Sequence, residues 1–78
     1  MIKIKIFGKL TDVFGGTEYA FQIKDINDVA HLCRQLEQEI PSLFGMTYLV
    51  VINGKKADDD TIIPQIPEIA LLPPYSGG

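Results

Sequence analysis

The feature that most constrains the fold is a change in hydrophobic period along a short chain. Ile2, Ile4 and Ile6 alternate with Lys3, Lys5 and Phe7, the period of two that marks a strand with one buried face. Gly8 and then Gly15-Gly16 punctuate a loop, after which Tyr19, Phe21 and Ile23 alternate with polar or small residues as a second strand. The pair suggests an opening hairpin. From Val29 the spacing becomes helical: Val29, Leu32, Cys33, Leu36 and Ile40 fall on one face. Asp25 or Asn27 can cap the start of this helix, and Pro41 closes it because proline cannot donate to the preceding turn. Each apolar side chain on that face contributes roughly 1.5 to 3 kcal/mol when buried, so the face is expected to cover a sheet.

The second half carries strand signals only. Tyr48 to Ile52 is a continuous apolar run ending at the turn signal Asn53-Gly54, and it reads as a central strand covered on both faces or flanked by other strands, the spine of the sheet. Lys55 to Asp60 is polar, Pro64 and Pro67 forbid a long regular element, and Ile69 to Leu72 is a last short strand stopped by Pro73-Pro74. The order predicts an α+β fold, with one main helix packed across a mixed sheet of four to five strands in the β-grasp (ubiquitin-like) arrangement. A right-handed crossover through the helix is the expected connection. At 78 residues without an internal repeat the chain is one domain, residues 1–78, with an extended tail over 73–78.

Several function classes are set aside by what the chain lacks. The single cysteine, Cys33, allows no internal disulfide, and no paired Cys or His spacing suggests a metal site. Cys33 is expected to act as a small core hydrophobe, His31 as a surface residue, and Asp58-Asp59-Asp60 as a solvated turn without the glycine and distal glutamate of a calcium loop. Lys3 and Lys5 keep their strand face soluble. A net charge of −3 argues against a nucleic acid partner and makes a basic protein surface the better expectation. No signal-peptide pattern or membrane-length apolar run is present, which makes a cytoplasmic location without membrane contact the expectation.

The chemistry is concentrated in the last six residues. Pro73 and Pro74 withhold two ladder donors and hold φ near the polyproline value, so the tail should leave the sheet as a stiff root. From Pro73 to Gly78, extended at ~3.3 Å per residue, it reaches about 20 Å. Pro73, Pro74, Tyr75, Ser76 and Gly77 are thus expected to thread into a partner's active site. Two glycines without Cβ suit a narrow tunnel. The reactive group would be the α-carboxylate of Gly78, a poor electrophile until adenylated, after which a sulfur donor displaces AMP and leaves a thiocarboxylate. Phe7, Leu71 and Leu72 are the candidate apolar anchors for the partner.

The stretch from Ala70 to Gly78, with two apolar residues, Pro-Pro, a short spacer and Gly-Gly, resembles the ending of molybdopterin synthase small subunits (MoaD), of the ThiS/MoaD sulfur-carrier family. The opening Ile-Lys-Ile-Lys-Ile-Phe and the length fit as well. The resemblance implies activation of Gly78 by an adenylating enzyme related to ubiquitin-activating enzymes, which consumes ATP. The thiocarboxylated tail would then enter the large synthase subunit, within a heterotetramer, to form the dithiolene of molybdopterin. It implies no cofactor bound by this chain, and catalytic side chains that belong to the partner. The chain departs from the family at Thr11-Asp12, where an Arg-Glu pair is frequent, and at Gln65-Ile66-Pro67-Glu68. Other readings are a sulfur carrier for thiamine or tRNA thiolation, a ubiquitin-like modifier, and a β-grasp interaction module with an inert tail.

Overall fold

A computed structural model describes residues 1–74. Strand β1 (Ile2–Ile6) is followed by a short helix α1 (Leu10–Phe14), strand β2 (Glu18–Phe21), the main helix α2 (Val29–Glu39), a 3₁₀ turn (Pro41–Leu43), and strands β3 (Leu49–Ile52), β4 (Lys55–Lys56) and β5 (Ile69–Leu72). The sheet order is β2-β1-β5-β3-β4. β1 pairs parallel with β5, and every other pairing is antiparallel.

Alternation dictates which side of the sheet each residue meets. Ile4 and Ile6 from β1, Phe21 from β2, Val50 and Ile52 from β3, and Ile69 and Leu71 from β5 are buried beneath α2, which contributes Val29, Leu32 and Leu36. Leu10 and Leu43 are buried with this core. No polar side chain is buried among the described residues, so the domain is held by apolar packing and backbone hydrogen bonds.

Helix α2 is fixed at both ends. Its cap is Asp28, one or three residues beyond the two expected, because Asp28 takes the extended conformation (φ −141°, ψ 174°) and its carboxylate accepts from the His31 backbone N–H at 2.8 Å. Asn27 instead offers its carbonyl to Ile63 N–H. Ile40 lies just past the last turn as the C-terminal cap. Two tyrosines clamp the helix to the sheet: Tyr19 donates to Glu39 at 2.6 Å from the β2 side, and Tyr48 to Glu37 at 2.8 Å from the β3 side.

Three other expectations are corrected. The segment after β1 is not simply a loop: Leu10 is fully buried, which nucleates α1, and Gly15 in the left-handed region (φ 77°) ends it by donating to the Thr11 carbonyl. The spine of the sheet is β5, not the 48–52 run. β3 alternates, with Val50 and Ile52 inside and Leu49 and Val51 on the opposite face, so its continuous apolar pattern reflects a partly apolar outer face. Asn53-Gly54, both at positive φ (52° and 82°), turn the chain into β4, a two-residue strand hidden in a polar stretch.

The position of β5 predicts contrasting costs for adjacent leucines. Leu71→Ala, which empties a fully buried site, should lower unfolding free energy by about 2–5 kcal/mol, and Leu72→Ala on the outer face by clearly less, as read by denaturant titration. The tyrosine clamp is testable by pH. Its hydrogen bond to Glu39, with partial burial and the carboxylate's charge, raises the Tyr19 pKa from 10.0 to about 12. The neutral phenol is the form the fold stabilises, so its contribution is complete below pH 10.0 and is lost as pH rises through about 12. The stability difference between the native chain and Tyr19→Phe should therefore shrink across that interval.

Candidate functional site

The tail root rests on the turn that follows β1. Phe7 N–H donates to the Leu71 carbonyl at 3.1 Å, extending the parallel pairing of β1 and β5 by one residue. Gly8 then turns the chain at φ 61°, a conformation that costs other residues roughly 1–2 kcal/mol. Its carbonyl accepts from both the backbone N–H and the hydroxyl of Thr11, at 3.1 and 2.8 Å. Against this turn lies the Pro73 ring: a Cβ on Gly8 would sit 2.7 Å from Pro73 Cγ and 3.1 Å from Cδ. Only a glycine leaves room for the ring there.

Pro73 is partly buried on Gly8 and Pro74 is exposed, so the root leaves the sheet at the end of its central strand. Tyr75, Ser76, Gly77 and Gly78, expected to form the threading tip, lie outside the described residues. The departure at Thr11 also gains a role, since its hydroxyl braces the turn on which Pro73 rests.

Of the three expected anchors, the structure places two at the surface. Phe7 is 47% exposed, and Leu72 is partly buried on the outer face of the sheet, paired with Leu49. Leu71 is withdrawn as a contact for a partner: β5 alternates, and a residue adjacent to an outward Leu72 must point inward, where it is 0% exposed. The outer face carries Leu49, Val51, Ala70 and Leu72 in neighbouring registers, with Lys5 beside Ala70. A shallow depression of about 250 Å³ opens there between Phe7, Lys5, Val51, Ala70 and Pro67. This is an apolar strip with a cationic border, a form suited to protein contact.

The other singled-out residues have structural settings. Cys33 is half-buried, and burial raises its thiol pKa, with the Asp59 and Glu37 carboxylates adding to the effect and the neighbouring Tyr48 hydroxyl opposing it. A thiol held protonated is a poor nucleophile. His31 is partly buried rather than free in solvent. Among the described residues no group of three or more His, Cys, Asp or Glu could hold a metal ion, and no helix is long and apolar enough to cross a membrane. The Gly8 seat was missed in the sequence, where Gly8 reads only as loop punctuation. Its signal, a glycine directly after a strand, is too common to single it out.

A single helix crossing a mixed five-stranded sheet, with its C-terminal strand in the middle and a proline root leading out, defines a β-grasp domain. The ThiS family model matches residues 4–78, and the chain belongs to that family of ThiS/MoaD-type sulfur carriers. Among solved structures, SAMP1 from Haloferax volcanii superposes with a TM-score of 0.76 at 24% identity over 97% of each chain. A second structure of that small archaeal modifier protein gives 0.77 at 22% identity, over 94% of this chain and 95% of the other. A Pyrococcus furiosus protein assigned as molybdopterin converting factor, subunit 1, gives 0.82 at 14% identity, over 94% and 95%. These likenesses establish the fold. No curated protein sequence matches the chain.

The seat predicts a specific coupling. Gly8→Ala should lose stability both from its positive φ and from the clash with the ring, and Pro73→Ala placed in the same chain should restore the second part. Urea unfolding of both single variants and the double variant measures this: the double should cost less than the two singles together.

Proposed function

We propose that this chain is a sulfur carrier whose Gly78 carboxylate is adenylated and thiocarboxylated, and that it donates sulfur as the small subunit of molybdopterin synthase. The observation that carries the reading is the tail root. A central strand runs straight into Pro73, which is seated on Gly8, and the family match continues through Gly77-Gly78.

The chain's own part in this chemistry is presentation. The terminal carboxylate attacks the α-phosphorus of ATP on an adenylating partner and releases pyrophosphate. A sulfur nucleophile then displaces AMP from the acyl-adenylate. The described residues supply a rigid base that fixes where the arm begins, and this reduces the ordering cost when a partner's tunnel receives it. The outer face, with Phe7, Leu72 and Val51 bordered by Lys5, is the surface proposed to dock on the adenylating enzyme and on the large synthase subunit. The molybdopterin assignment rests on the Ala70–Gly78 ending with its Pro-Pro root, and the fold shared with the Pyrococcus furiosus converting-factor subunit is compatible with it.

A second reading, a ubiquitin-like modifier, is favoured by the likeness to a small archaeal modifier protein. It begins with the same adenylate but ends in an amide to a lysine.

Incubation with an adenylating partner, ATP and a sulfur donor should add the mass expected when one oxygen becomes sulfur, and deletion of Gly77-Gly78 should abolish the change. An unchanged mass, under conditions that load another carrier, contradicts the carrier reading. High-mass conjugates formed through Gly78 in cells would favour the modifier instead.

A further inference from the structure

On the helix side of the sheet, away from the outer face, the chain leaves a groove whose origin can be followed bond by bond. β3 and β4 pair only at Val51 with Lys56 and Ile52 with Lys55, and Ala57 N–H adds one more bond to the Val50 carbonyl at 2.8 Å. After Ala57 the chain peels away to cover the start of α2. There the Asp59 carbonyl accepts from Ala30 N–H and the Thr61 carbonyl from Val29 N–H. The departing strand leaves a space of about 1060 Å³ between α2, the first residues of β3 and the Lys56–Asp60 segment.

The orientation of the β3 backbone follows from two of its neighbours. Asn53 N–H reaches the Glu68 carbonyl, so odd-numbered residues turn toward β5, and Val50 meets Ala57, so even-numbered residues turn toward β4. Tyr48, the residue directly before β3, is even-numbered and continues this alternation. Its N–H and C=O therefore point past the end of β4 into the groove, where they engage no backbone partner among the described residues. Its side chain points toward the helix, where the hydroxyl is held by Glu37 beside Cys33. An unpaired strand edge above a floor formed by a helix is the geometry in which an added strand gains main-chain bonds and side-chain pockets together.

Charge selects the occupant. The groove is bordered by four carboxylates, Glu37, Asp58, Asp59 and Asp60, against two cations, Arg34 and Lys56. The Cys33 thiol at its floor registers the same field, since Asp59 and Glu37 both disfavour its anion.

We infer that this groove binds an extended basic peptide segment of a partner protein, which adds to the sheet at the Tyr48 edge of β3. The peptide lies antiparallel or parallel to β3, exchanges hydrogen bonds with Tyr48, and sets alternate lysine or arginine side chains against the Asp58–Asp60 border. The groove and the outer face are separate surfaces, so occupation does not depend on the tail's chemistry or on the carrier reading.

The test is a titration of the full chain, followed by amide NMR, with a blocked six-residue peptide alternating lysine and valine. Shift changes should fall on Tyr48, Leu49 and the 57–60 segment, and the Tyr48 amide should become protected from hydrogen exchange. Replacing the lysines of the peptide by glutamate, or N-methylating alternate residues along one edge, should remove binding. In the protein, Asp59→Asn with Asp60→Asn should weaken binding roughly threefold to tenfold, with unchanged thermal unfolding. The inference is overturned if the glutamate or N-methylated peptide binds equally well, if the shifts fall on Lys3, Lys5 and Val51 instead, or if no amide responds.

Discussion

The parallel pairing of β1 with β5 is the contact on which the rest of the molecule depends. It places the last strand of the chain between the first and third strands, so Ile6 and Leu71 meet in the middle of the core. Parallel neighbours need a long connection, and here the connection contains nearly the whole domain, including α2 packed across the sheet. The arrangement has a direct consequence for function. A chain whose β5 is central sends Pro73 out from the middle of the sheet and not from its edge.

The same pairing explains how the two sides of the sheet acquired different properties. Inward positions of β1, β3 and β5 are large and aliphatic because α2 covers them. Outward positions combine Lys3 and Lys5 with Leu49, Val51, Ala70 and Leu72, so the exposed side keeps an apolar strip beside lysines. The ion pair of Lys3 with Glu18, 3.9 Å apart and largely exposed, adds little to stability and leaves the lysine available to solvent and partners. The helix side has its own acidic groove. One small domain thus offers two chemically opposite surfaces.

The period-two and helical patterns were readable from residue types, and β1, α2 and the span of β5 appear where those patterns place them. What the sequence hid depends on tertiary position. A continuous run such as Tyr48 to Ile52 does not tell a strand buried on both faces from one with an apolar outer face, and only the pairing order shows that β5 is the centre. Leu71 and Leu72 are alike in type, and their opposite roles follow from the register of β5 against β1 and β3. The α1 turn rests on one buried side chain, Leu10, and the Gly8 seat rests on a proline sixty-five positions later in the chain. Neither leaves a local pattern.

The central placement of β5 also fixes how the domain responds to traction. A pull on the tail along its axis loads the ladders to β1 and β3 at once and in shear, so their hydrogen bonds must break together rather than one after another. A load applied at Pro73 is therefore shared by both neighbouring strands before the body behind it gives way.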